Sequence, residues 1–306
     1  MNSAGRLRLG GVITALVTPF RDGEVDHAAL EALVEWQVLS GVDGLAICTA
    51  AGEGPTLSQQ ERRMVLDICI RTAADRIPVI AAAGTNCTES TIAFIRDAEE
   101  CGARAVLITV PYYSKPGQKG ILRHFQQIAA ASNLPVLIEN APARTASDLT
   151  VETLERLAEL EAIVAIVDAT GDIARFANMP PALRHRFRFL SGHDGTALPF
   201  YLSGGDGIVS AAANILPRLV TSLQQAACGS YISAALALSD RLLPVVTALG
   251  HEGDPARLKY ALQILRGTPS DLRLPLVPTE ADSRFTIAKS LAPFIGGSAA
   301  CMALSL

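Results

Sequence analysis

Eight short apolar runs are spaced along this 306-residue chain, and the longer stretches between them carry hydrophobic residues every three or four positions. The runs occupy 11–17, 44–48, 79–83, 105–110, 136–138, 163–167, 188–191 and 207–210. Most are apolar throughout, the pattern of parallel strands covered on both faces. Parallel neighbours need a crossover of helical length, and the intervening segments supply it. Asp26 stands ahead of Leu30, Leu33, Val34 and Val38, which recur at helical spacing. Ser58 is followed three residues later by Glu61, a capping-box pair. Thr88-Glu89-Ser90-Thr91 precedes a further helix, and Gly102 stands where that helix needs a left-handed end.

Eight such units predict an α/β fold, a (β/α)8 TIM barrel. A doubly wound open sheet is the alternative, but no G-x-G-x-x-G follows the first run. Beyond Ile215 the sequence reads as helical to its end, giving an eighth barrel helix and three more. The expectation is one domain, a barrel over 1–225 with a C-terminal helical appendage over 226–306.

Hydrophobic residues make up 49% of the chain, enough for a large core. A net charge of -4 with no basic cluster gives no footprint for nucleic acid or an anionic membrane. No uninterrupted apolar stretch reaches the ~18 residues of a membrane span. Arg6, Arg8 and the apolar run after them superficially resemble a secretion signal. Thr18-Pro19-Phe20-Arg21 follows instead of a cleavage site, so that run is read as the first strand. The six cysteines, Cys48, Cys69, Cys87, Cys101, Cys228 and Cys301, form no C-x-x-C and read as buried free thiols. A cytoplasmic protein is expected, with no cofactor and no metal.

Active residues of such a barrel lie at the C-terminal ends of its strands. There the chain carries "GVITALVTPF", "AAGTNCTES", "VPYYSKPGQKG", "NAPARTAS", "AIVDATGD", "LSGHDGTALP", "GIVSAAANILP" and "DLRLPLVP". In content and order these segments resemble the dihydrodipicolinate synthase/N-acetylneuraminate lyase family, from about Gly11 to about Pro278. The resemblance implies a lyase of the class I aldolase type. In that family a lysine on the sixth strand forms a Schiff base with pyruvate or a related 2-oxo acid, and the protonated imine serves as electron sink. A fifth-strand tyrosine moves protons, and a Gly-Thr-Thr-Gly-Glu loop after the second strand holds the substrate carboxylate. The resemblance also implies a homo-oligomer, dimer or tetramer.

Four positions, at three places in the barrel, depart from that pattern. The lysine falls on Val167, which has no nucleophile. The tyrosine falls on Glu139, and the two threonines fall on Ala50 and Ala51, with Thr49 one position early. Only Lys115, Lys119, Lys259 and Lys289 could supply another amine. Lys115 borders the mouth on a loop, where a solvated lysine keeps its ordinary pKa and is a poor nucleophile. The candidate catalytic residues are therefore Glu139 and Tyr113. Tyr113 matches a tyrosine that relatives push into a neighbouring subunit's site, or it packs at a dimer interface. The candidate substrate-binding residues are Ala50, Ala51, Arg144, Gly192 and Val209, around a small 2-oxo-acid-like carboxylate. Glu139 reads either as a partner neutralising Arg144 or as a general base. His193, Asp194, Asp168 and Glu139 follow no metal-ligand spacing. Three functions stay open: an enzyme with altered, non-imine chemistry, an inactive binding or regulatory homologue, or an ordinary pyruvate-dependent aldolase if a lysine reaches the mouth.

Overall fold

The computed structural model describes residues 9–250 and 253–295. Eight parallel strands close into a barrel: β1 (Gly11–Ala15), β2 (Gly44–Ile47), β3 (Val79–Ala82), β4 (Ala105–Thr109), β5 (Val136–Asn140), β6 (Ile163–Asp168), β7 (Arg188–Ser191) and β8 (Gly207–Ser210). Each strand pairs with its sequence neighbours, and β1 pairs with both β2 and β8, so the sheet has no free edge.

Each apolar run of the sequence is a strand, with informative differences at the ends. The first strand stops at Ala15, because the Leu16 N–H still reaches the Ala46 carbonyl at 3.0 Å but the Val17 N–H turns to the Asn214 side chain at 3.0 Å. The fifth continues past its apolar run to Glu139 and Asn140. Ladder hydrogen bonds are made by backbone groups, so polar side chains at a strand end do not terminate pairing.

Local signals set the helix starts. The Asp26 carboxylate accepts from the Ala29 N–H at 3.0 Å and caps helix His27–Leu39. At helix Gln59–Ala73 both arms of the capping box form, Ser58 N–H to Glu61 at 2.8 Å and Glu61 N–H to the Ser58 hydroxyl at 3.2 Å. Helix Thr88–Cys101 ends at Gly102, at φ 89°, and a side chain there would be strained. Its start has no side-chain cap. Thr88 is already helical and its hydroxyl bonds His124 Nδ1 at 2.9 Å.

The C-terminal part contains helices Pro217–Cys228, Ile232–Leu249, Pro255–Arg266 and Ala281–Leu291. The expectation of helix to the end fails over 268–280. Gly267 ends helix Pro255–Arg266 at φ 67°, and Pro269, Pro275 and Pro278 cannot donate helix bonds. The non-helical segment is held instead by Arg273, whose guanidinium bonds the Gly23 carbonyl at 2.7 Å and Glu61 at 2.5 Å. Helix Ile232–Leu249 is long and apolar enough to cross a membrane by composition. Asp240 and Arg241 interrupt it, and it packs against helices Pro217–Cys228 and Ala281–Leu291.

All five described cysteines are free. Cys48 and Cys69 are buried and Cys101 is half-buried, but Cys87 and Cys228 are exposed, which corrects the reading of all as buried. Those two sit at helix ends, where the chain meets solvent. Cys301 lies outside the described residues.

Candidate functional site

The loops leaving the C-terminal ends of the strands converge on one small cavity of about 70 Å³. Ala50 and Ala51 enter from the loop after β2, Glu139 from the end of β5, and Arg144 from the helical turn Pro142–Thr145. Gly192 follows β7, and Val209 comes from β8. Six of the seven residues singled out in the sequence thus meet in one place. Tyr113 does not. It is 89% exposed, on a loop where its own φ is 66°.

The loop after β2 is sharply bent, with Cys48 at φ 61° and Glu53 at φ 52°. A Cβ on Gly54 would lie 1.9 Å from the Cys48 carbonyl oxygen, so only glycine closes this turn. Thr18 donates to the Gly52 carbonyl at 2.7 Å and ties the loop to the end of β1. Neither the Ala50 nor the Ala51 N–H has a hydrogen-bond acceptor among the described residues. Successive free amides at a bend make a cradle for an anion.

Behind the loop lies a fully buried ion pair. Lys259 Nζ stands 2.5 Å from Glu53 Oε1, and both side chains are 0% exposed. The ammonium also donates to the Asp271 carbonyl at 2.7 Å, and the Arg273 N–H donates to Glu53 Oε2 at 3.0 Å. Burial pulls the Lys259 pKa below its ordinary value, against the opposing pull of Glu53. The Arg273 guanidinium holds the neighbouring Glu61 at about 2. Helix Pro255–Arg266 and the segment after it therefore buttress the loop, a role no local pattern in the sequence announces.

At the other side of the mouth, Glu139 is paired in register with Thr109 of β4 and Val167 of β6. Residues in register on parallel neighbours point to the same face, so all three project together. Glu139 reaches the cavity, while Val167 is 0% exposed. Burial pushes the Glu139 pKa up, and the Arg144 charge and the Thr109 hydroxyl pull it back. Arg144 itself is exposed at the rim. A carboxyl raised by burial therefore stands beside a cation and over an apolar floor.

Sequence reasoning missed several lining residues. Thr49 lines the cavity, so a hydroxyl stands beside the alanines after all, one position earlier in the loop. Asp194 also lines it and accepts from the Ser210 hydroxyl at 2.5 Å and from the Ala211 and Ala212 amides, each at 3.0 Å. Burial raises its pKa against those hydrogen bonds. It joins the ends of β7 and β8. Ala169 and Gly192 meet across the wall, where a Cβ on Gly192 would lie 2.7 Å from that of Ala169. Gly253 brings the C-terminal helical region into the mouth. A search for acids at strand ends finds Asp194, but nothing local marks Gly253.

None of the four lysines lines this cavity. Lys115, Lys119 and Lys289 are exposed, and Lys259 is behind the loop in its ion pair. Among the described residues no group of three or more histidine, cysteine or acidic side chains is placed to hold a metal. Asp168 is occupied by Thr170 at 2.6 Å and Arg175 at 3.1 Å.

Comparison with known proteins gives a consistent result. A profile of the dihydrodipicolinate synthetase family matches residues 8–293. A 4-hydroxy-tetrahydrodipicolinate synthase of Rhizobium meliloti is 48% identical over 268 residues, covering 87% of this chain and 92% of the relative. One from Methylobacterium radiotolerans is 45% identical over 278 residues, covering 90% and 93%. The crystal structure of dihydrodipicolinate synthase from Aquifex aeolicus superposes with a TM-score of 0.90 at 34% identity, over 94% of this chain and 98% of that one. A chloride-inhibited dihydrodipicolinate synthase from Acinetobacter baumannii, complexed with pyruvate, gives 0.89 at 36% identity, over 95% and 99%. With the barrel and these relatives in agreement, the chain belongs to the dihydrodipicolinate synthetase family.

Proposed function

We propose that this protein is a divergent, lyase-family barrel that binds a small 2-oxo-acid-like carboxylate at its mouth without forming a Schiff base. One observation carries the reading: Val167 stands on the inner face where the resemblance places the amine, and no lysine lines the cavity. Arg144 and the free amides of Ala50 and Ala51 grip the carboxylate. A ligand of this kind is supported by the relative from Acinetobacter baumannii, which was crystallised with pyruvate. Gly192 and Val209 form walls that admit only a compact acid.

The remaining chemistry centres on Glu139. As a base it takes a proton from C3, the carbon next to the keto group of the bound 2-oxo acid. The electron pair of that C–H bond moves into an enolate, whose charge falls on the keto oxygen beside the carboxylate held by Arg144 and the amides. Collapse of the enolate returns the pair to carbon in an isomerisation, or expels a leaving group from the adjacent carbon in an elimination. Neither route needs an amine. Tyr113 reaches no site within its own chain and acts, in this reading, in the mouth of a neighbouring copy of a cytoplasmic homo-oligomer. Its 89% exposure supports that role.

A second reading is an inactive binding or regulatory homologue. It is supported by the simultaneous replacement of nucleophile, phenol and both hydroxyls, groups that act as a unit. Borohydride reduction with pyruvate tests the shared premise, and intact mass should be unchanged. A pyruvate-sized mass increase would restore ordinary aldolase chemistry and overturn both readings. Turnover across 2-oxo and hydroxy acids, abolished in Glu139→Gln, supports the enzyme. Binding without turnover supports the homologue.

A further inference from the structure

Between helix His27–Leu39 and the C-terminal helices lies a second cavity, of about 460 Å³, that shares no residue with the mouth. Its size is that of a small-molecule site. Trp36, Leu238, Leu265 and Phe294 give it apolar walls, while Arg218, Arg241 and Arg266 stand around its opening. No acidic residue lines it. None of the three arginines forms an ion pair among the described residues. Arg266 stands over Trp36, its guanidinium carbon 4.1 Å from the ring centre, and that of Arg241 stands 5.7 Å from the ring centre of Phe294.

Two further features point to an occupant. Ser40 lines the cavity at 7% exposure, and its hydroxyl has no hydrogen-bond partner among the described residues. A buried polar atom left unpaired is costly, and a ligand atom that satisfies it removes the cost. Helix Pro217–Cys228 begins at the wall, through Pro217, Arg218 and Leu219, and its N-cap Leu216 offers no side-chain oxygen. The positive end of a twelve-residue helix thus adds to the three guanidinium groups.

We propose that this cavity binds an amphipathic organic carboxylate with an aryl or branched apolar body. Its carboxylate sits among Arg218, Arg241 and Arg266, its body lies against Trp36 and Phe294, and a polar substituent meets Ser40. The site is independent of the reading given to the mouth, since it uses none of the same residues.

Trp36 is the chain's only tryptophan, so its emission reports on this cavity directly. Titration of the full-length protein with phenylacetate should give a saturable change in that emission. Benzyl alcohol, which keeps the ring but loses the charge, should give none over the same range. Replacing the exposed Arg218 and Arg241 together by alanine removes charge without touching the core, and should weaken phenylacetate binding by about tenfold or more. Arg144→Ala at the mouth should leave the Trp36 response unchanged. Absence of a saturable response, an equal response to benzyl alcohol, or unaltered binding in the double variant would each overturn the proposal.

Discussion

The two sides of the barrel mouth are built to different standards. The side formed by the loop after β2 is over-secured. A fully buried ion pair, an acid held at about 2 by Arg273, and glycines packed against carbonyl oxygens hold a loop that presents Ala50 and Ala51 to the cavity. The side formed by β5 and β6 has the opposite character. Its strands run in register from Leu137↔Ala165 to Asn140↔Asp168, and Glu139 and Val167 stand side by side near their ends. Scaffold and chemistry are separate constraints. A loop braced by helix Pro255–Arg266 keeps its shape whatever stands at the end of β6, because the brace does not pass through that strand.

The sharpest way to break this comparison is to remove the brace. Glu53→Ala leaves the Lys259 ammonium buried and unpaired, and should cost about 3–5 kcal/mol in denaturant unfolding. Replacing both partners, Glu53→Gln with Lys259→Met, should recover most of that loss. A cost for the single variant no larger than that of a surface substitution would mean the loop is held by other contacts.

Next in size is Arg144→Ala, which should weaken pyruvate binding by about ten- to a hundredfold with little change in stability, because the residue is exposed at the rim. Calorimetric titration measures it. Equal affinity in the variant would move the carboxylate elsewhere.

The pH response separates the two sides. Glu139 has its folded-state pKa raised, so the folded form binds more protons than the unfolded one between the ordinary value of 4.5 and the raised one. Stability contributed by this residue is therefore lost as pH rises through that window. Glu139→Gln should be stabilising at neutral pH and neutral in effect below about 4, read as melting temperature against pH. Glu61 behaves oppositely. Its folded pKa is depressed, so its contribution is present above the ordinary carboxylate value and is lost as pH falls toward about 2. Acid sensitivity should therefore follow Arg273 and alkaline sensitivity Glu139. Identical profiles for Arg273→Ala and Glu139→Gln would erase the distinction.

The smallest effect is expected from adding hydroxyls. Ala50→Thr with Ala51→Thr should tighten pyruvate binding by about 1 kcal/mol, because in the proposed binding mode the amides already serve the carboxylate and the Thr49 hydroxyl lines the same cavity. A much larger gain would show that the amides alone do not grip.

Much of this was readable without coordinates. Capping by Asp26 and Ser58 was legible because a cap and its target are neighbours in the chain. Arg144, Gly192 and Val209 were legible through the segments that carry them at strand ends. Thr88 misled, since its hydroxyl serves His124 rather than its own helix, and the end of β5 was set short because polar side chains hide a backbone ladder. The resemblance expects Tyr113 in a neighbouring subunit's site or at a dimer interface, and in the single chain it stands in solvent.

By itself the sequence determined the eight strands, the helices between them and that position 167 is a valine. Hydrophobic period and caps act over a few residues, and whether a side chain carries an amine is covalent fact. Only the tertiary structure decided that Lys259 is spent on Glu53, that Thr49 and Gly253 reach the mouth, and that Trp36 shares a cavity with three arginines. Those relations join residues up to 230 positions apart, as Trp36 and Arg266 are, and exist only once the barrel closes and its C-terminal helices pack.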